Sequence, residues 1–113
     1  MRFTAPLAAI VAFVALLPLP LPAAAADEEF KLVIQDHRFQ PVELLVPAGK
    51  KVKLVIENRD PTPEEFESHA LNREKVLAGK ATATVLIGPL KPGRYPFVGE
   101  YNEKTAQGVV VVQ

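Results

Sequence analysis

From Phe30 to Val112, apolar residues recur at every second position in short runs that end in proline or glycine, which is the signature of half-buried β-strands rather than helices. Phe30, Leu32 and Ile34 alternate against Lys31 and Gln35, and Val42, Leu44 and Val46 repeat the pattern. Pro47-Ala48-Gly49-Lys50 then reads as a turn, with Gly49 free to take a positive φ. Val52, Leu54 and Ile56 face away from Lys51, Lys53 and Glu57, marking a strand with one wet side. Ala81, Ala83, Val85 and Ile87 share a face, the turn Gly88 to Gly93 follows, and Tyr95 and Phe97 alternate after it. Val109 to Val112 are apolar on both faces, as a central strand would be. The expectation is an all-β fold, an antiparallel Greek-key β-sandwich of about seven strands. Residues 61–78 lack strand character and read as a short helical or irregular insert.

The chain has 113 residues, enough for one such domain. Its first segment, Met1 to Ala26, opens on Arg2, runs apolar from Ala5 to Leu21 and ends in four alanines before Asp27-Glu28-Glu29. A basic start, an apolar middle and small residues at the end make a secretory signal peptide, with cleavage expected after Ala26 and a periplasmic domain spanning 27–113. A retained membrane anchor is the alternative, and Pro18, Pro20 and Pro22 argue against it by interrupting a helix where an anchor would continue.

The chain has no cysteine, which excludes disulfides, thiolate catalysis, iron–sulfur clusters and cysteine-ligated zinc. Its single methionine is Met1, so removal of the leader also removes thioether ligation. Arg2 is the only charge lost with the leader, leaving a formal charge of −1 and no basic footprint for nucleic acid. No Ser/His/Asp arrangement, phosphate loop or paired-histidine metalloprotease spacing is present.

Three stretches carry a resemblance. The first runs from Phe39-Gln40-Pro41 through Leu44, Val46, Pro47 and Gly49 to Glu57-Asn58. The second is Glu64-Glu65-Phe66-Glu67-Ser68-His69, and the third is Gly88 to Tyr95 together with Thr105 to Val109. Together they resemble the cupredoxin-like family, and within it the periplasmic type associated with bacterial iron uptake (EfeO-type). In blue-copper members a histidine follows the Asn-containing strand, and a late loop supplies a cysteine, a second histidine and an axial methionine. By that resemblance His69 matches the early histidine, while Gly99, Asn102 and Gln107 fall near the cysteine, second-histidine and methionine positions. Glycine and asparagine replace neither thiolate nor imidazole, so a blue-copper centre is excluded.

The resemblance brings the loop Glu64 to His69 beside the loop Glu100 to Glu103. Imidazole with carboxylates suits Cu(II), Zn(II), Fe or Mn and does not favour Cu(I). Glu65 and His69 are four residues apart and share a face in either helix or strand, whereas Glu67 joins them only in an extended segment. The expected metal ligands are therefore His69, Glu67, Glu65 and Glu100. A structural alternative has Thr62 as helix N-cap, Pro63 at the first helical position and Glu65 closing a capping box. His37 reads as a solvated or capping histidine at a turn, and Tyr101 as an exposed loop aromatic.

The resemblance implies a periplasmic metal-binding protein that serves an iron-uptake system as an accessory. Its expected cofactor is copper as Cu(II), with iron, zinc or manganese as alternatives. The implied partner is a membrane iron permease or another periplasmic component; nucleic acid is not expected, and a homodimer is left open. A rival reading is a metal-free interaction module of the same fold. Enzymatic turnover is an open question, with ferrous-iron oxidation as the reaction to test.

Overall fold

The computed structural model describes residues 1–20 and 28–113. Residues 1–20 are exposed and without strand or helix, and among the described residues no helix is long and apolar enough to cross a membrane. The expected cleavage after Ala26 lies outside the described residues. From Glu28 onward the chain forms two facing β-sheets, with nine strands among the described residues.

The first sheet joins β1 (Glu28–Gln35), β2 (Arg38–Gln40), β4 (Val52–Asn58) and β7 (Thr82–Ile87) in the order β2-β1-β4-β7. The second joins β3 (Glu43–Val46), β5 (Glu64–Ser68), β6 (Arg73–Leu77), β8 (Gly93–Gly99) and β9 (Gln107–Val112) in the order β3-β9-β8-β5-β6. Both sheets are mixed. β1 runs parallel to β4, pairing Leu32 with Ile56, and β3 runs parallel to β9, pairing Leu44 with Val110. The expectation of an antiparallel sandwich is corrected on this point, because alternation fixes which face a strand buries and not the direction of its neighbour.

The apolar positions of the alternating runs meet between the sheets. Leu32, Ile34, Leu54, Ile56 and Val85 from the first sheet pack towards Phe66, Phe97, Val110 and Val112 from the second. Phe39, Phe66 and Phe97 form an aromatic centre, with Phe39 edge-on to Phe97 at 4.9 Å between ring centroids. As its apolar composition requires, β9 is a central strand, flanked by β3 and β8. Gly49 takes the positive φ its turn needs, at 70°.

The insert expected at 61–78 is a β-hairpin, β5 to β6, and this adds the two strands that bring the count from about seven to nine. With Glu64 to Ser68 extended, the capping box proposed for Thr62 and Glu65 does not form. The hairpin turns through the four residues His69 to Asn72, where Ser68 Oγ donates to the Pro96 carbonyl at 2.7 Å and accepts the Leu71 amide at 3.1 Å. A further tight turn joins β1 to β2 through Asp36 and His37, both at positive φ, the geometry of a two-residue hairpin connection. Asp60, just past β4, accepts both of their amides, at 2.8 and 3.0 Å.

Candidate metal centre

Strand alternation divides the acids of β5 between two environments. Glu64, Phe66 and Ser68 point inward and are buried. Glu65 and Glu67 point to the outer face of the sheet, where Glu67 pairs in register with Glu74 of β6 and Val98 of β8. A 3₁₀ turn, Glu100–Asn102, follows β8 and carries Glu100 to the same place. One carboxylate oxygen from each of Glu65, Glu67 and Glu100 lies within 4.8 Å of the others. Glu67 is only 9% exposed, so this cluster is not an ordinary solvated charge run.

Crowded carboxylates resist losing their last proton. Desolvation, then a hydrogen bond with Glu100 and the charges of Glu100, Glu74 and Glu67, hold the Glu65 carboxyl above its usual range. For Glu67 the hydrogen bond with Glu100 comes first, followed by desolvation and the Glu100 charge; His69 opposes the rise. Three oxygens so placed bind either a shared proton or a cation that neutralises them together.

His69, the first residue after β5, has Nε2 3.3 Å from Glu67 Oε1, and its side chain is 95% exposed. The structure thus brings Glu65, Glu67 and Glu100 together and leaves His69 at the margin, touching the group through Glu67. His37, at the β1–β2 turn, has Nε2 3.3 Å from Thr62 Oγ1 and lines a surface cavity together with Glu100, Tyr101 and Asn102. Tyr101 is an exposed loop aromatic, as its position in the sequence suggested.

Sequence reasoning missed the role of Glu64. Its carboxylate is 2% exposed and accepts three hydrogen bonds: Oε1 takes the amides of Glu65 at 3.0 Å and Tyr101 at 2.9 Å, and Oε2 takes Asn102 Nδ2 at 2.6 Å. A Cβ at Gly99 would fall 2.7 Å from Glu64 Cδ and 2.7 Å from Ala106 Cβ. Glu64, not His69, therefore faces Gly99 and Asn102, the positions matched to the cysteine and second histidine of blue-copper proteins. The match of His69 to the early histidine is corrected accordingly: His69 sits at the opposite end of β5. The only signal that could have identified Glu64 is its parity with Phe66, which directs it into the sandwich.

A blue-copper centre does not fit this end of the sandwich. No thiolate is available, and the space facing Gly99 holds a carboxylate already saturated with donors. Gln107, matched to the axial methionine, is exposed and donates to the Glu103 carbonyl at 2.7 Å.

Two facing mixed sheets closed around one apolar core define a β-sandwich domain, with the acidic cluster on its outer face. The chain belongs to the cupredoxin-like domain family, whose family model matches residues 6–112. It is 44% identical over 84 residues to an uncharacterised protein of Rickettsia prowazekii (strain Madrid E), covering 74% of this chain and 67% of that one. Among solved structures it is similar to auracyanin A, a blue copper protein from Chloroflexus aurantiacus. The TM-score is 0.64 at 17% identity, over 78% of this chain and all of that one. It is also similar to the metal-binding domain of the Cu(I)-exporting ATPase CopA of Streptococcus pneumoniae D39. There the TM-score is 0.67 at 13% identity, over 75% of this chain and 84% of that one. A chain of a heme-copper terminal oxidase dimer matches with TM-score 0.64 at 20% identity over 77% of this chain, which spans 65% of that longer one. Likeness at this level of identity establishes the fold alone.

Proposed function

We propose that this protein is a periplasmic cupredoxin-like metal-binding protein that takes a hard cation, with Cu(II) expected first, on the outer face of its five-stranded sheet. One observation carries the reading: carboxylate oxygens of Glu65, Glu67 and Glu100 converge within 4.8 Å, one of them on a nearly buried side chain. An oxygen-rich set of this kind suits Cu(II), iron, zinc or manganese over Cu(I), and the exposed imidazole of His69 can swing in as a nitrogen ligand. The likeness to auracyanin A, a blue copper protein, supports copper as the first metal to test.

Service to an iron-uptake system, with a membrane iron permease or periplasmic component as partner, rests on the resemblance of the Glu-Phe-Glu-Ser-His segment. The leader Met1 to Ala26 supports export. A second reading, a metal-free interaction module, is favoured by Glu64, which closes the place where blue-copper relatives hold their metal.

Calorimetric titration at pH 7 with Cu(II), Zn(II), Fe(II) and Mn(II), one at a time, separates the two. The expected result is binding tighter than about 10 μM, roughly −7 kcal/mol, by at least one of them. Glu67→Ala should abolish it, and His69→Ala should weaken it less, because His69 lies at the margin of the group. Absence of any binding at that level removes the metal reading and leaves the interaction module.

A further inference from the structure

We propose that Glu64 is a positioning residue: its buried carboxylate sets the 3₁₀ turn that delivers Glu100 to Glu65 and Glu67. This rests on the metal reading of the outer-face cluster and adds the residue that pre-organises it. The 3₁₀ turn has no side-chain cap from its own leading residue, Gly99. Glu64 supplies that cap from another strand. Its Oε1 accepts the amide of Tyr101, the residue after Glu100, and also the amide of Glu65, so one oxygen atom ties together the backbone beside two of the three cluster acids. Its Oε2 accepts Asn102 Nδ2 at the other end of the turn.

The surrounding loop is shaped to this carboxylate. Gly99 leaves open the volume that Glu64 Cδ approaches, and a methyl group there would have to displace it. Asn102 in turn accepts the amides of Thr105 and Ala106 on its backbone carbonyl, and Gly99 donates its amide to the Ala106 carbonyl, so the loop closes on itself behind Glu64. Glu100 is exposed and projects from this frame. Its position follows from the two residues after it, both held by Glu64.

A residue that orients a metal ligand without touching the metal commonly changes affinity by about 10–100-fold when altered. Glutamine at 64 keeps the shape, but its NH₂ can meet Asn102 only if that amide turns over to present Oδ1, so a charge-assisted contact becomes a weaker neutral one. The pair Glu64→Gln with Asn102→Asp restores it with the donor reversed: the glutamine oxygen accepts the two amides and its NH₂ donates to the new carboxylate.

The test is Cu(II) titration of protein expressed from the full chain, as wild type, Glu64→Gln, Asn102→Ala and the Glu64→Gln/Asn102→Asp pair. Thermal melting and hydrogen exchange of the Tyr101 amide are measured on each. Wild-type affinity should fall about 10–100-fold in Glu64→Gln and fall in Asn102→Ala, with faster Tyr101 exchange in both, and the reciprocal pair should recover most of the loss. Should Glu64→Gln fail to fold, Asn102→Ala alone decides, since it leaves the carboxylate in place. Unchanged Cu(II) affinity in a folded single variant overturns the proposal while leaving the metal site standing. So does a loss that persists in the reciprocal pair after its melting and Tyr101 protection have returned. Wild-type protein that does not bind Cu(II) overturns copper at this site, and the positioning role falls with it if Tyr101 exchanges at the same rate in wild type and Glu64→Gln.

Discussion

Three glutamates within four residues have two different fates here, decided by which way β5 turns each one. Glu64 faces inward and is satisfied by three donors, whereas Glu65 and Glu67 face a third carboxylate across the sheet surface. The second arrangement is costly without a cation. A carboxyl held above its ordinary value of 4.5 binds its proton more tightly folded than unfolded, so its contribution to stability falls as pH rises above that value. The repulsion grows as pH rises and these carboxyls lose their protons. Glu65→Gln should therefore raise the metal-free melting temperature at pH 7, with the difference shrinking as pH falls towards 4.5, and should at the same time weaken metal binding. Melting curves across that range check it; a variant that melts lower than wild type at pH 7 would show that the three acids do not repel one another.

At the scale of elements, the β1–β2 turn depends on a carboxylate from outside itself. Asp36 and His37 hold φ of 52° and 56°, and their amides are tied to Asp60. Burial would push the Asp60 carboxyl up, but the amides of His37 and Asp36 outweigh it and hold it below 3.8. The stability this contributes is present above 3.8 and is lost as pH falls through the lower folded value. Asp60→Asn has one good acceptor for two amides and should cost about 1 kcal/mol at neutral pH. The deficit relative to wild type should narrow on acidification below 3.8, as chemical denaturation at stepped pH would show.

The same elements show what the sequence could disclose. Strands whose inward positions are Leu, Ile, Val or Phe were legible from their alternation, including the central position of β9. The β5–β6 hairpin was not, because the inward set of β5 is Glu64, Phe66 and Ser68, and four of the five residues of β6 are exposed. Alternation exists in β5, but a buried carboxylate and a buried hydroxyl disguise it. Glu65 and Glu67 were candidates by residue type, with Glu67 joining only if the segment was extended, and the extended β5 puts the two on one face. The burden on Glu64 was not, since its partners Tyr101 and Asn102 lie more than thirty residues away in the chain and only the fold brings them together.

For the whole molecule, the candidate centre lies outside the core. The apolar contacts between the sheets, including the Phe39, Phe66 and Phe97 group, involve none of the cluster acids. The domain should then be folded without metal, and metal should act on it as a ligand does, by mass action. Free metal at one hundred times its dissociation constant would stabilise the fold by about 2.7 kcal/mol. For a domain of this size that corresponds to a rise in Tm of about 10–20 °C, growing with the logarithm of concentration. Chelation should return the melting curve to its metal-free position without unfolding the protein, and Glu67→Ala should melt at the same temperature with or without metal. Cu(II) should produce no intense blue colour at any concentration, because that absorption needs a thiolate and the chain has none. A Tm indifferent to every metal would detach the outer-face acids from metal binding, and unfolding on chelation would mean that the metal is built into the core rather than held on its surface.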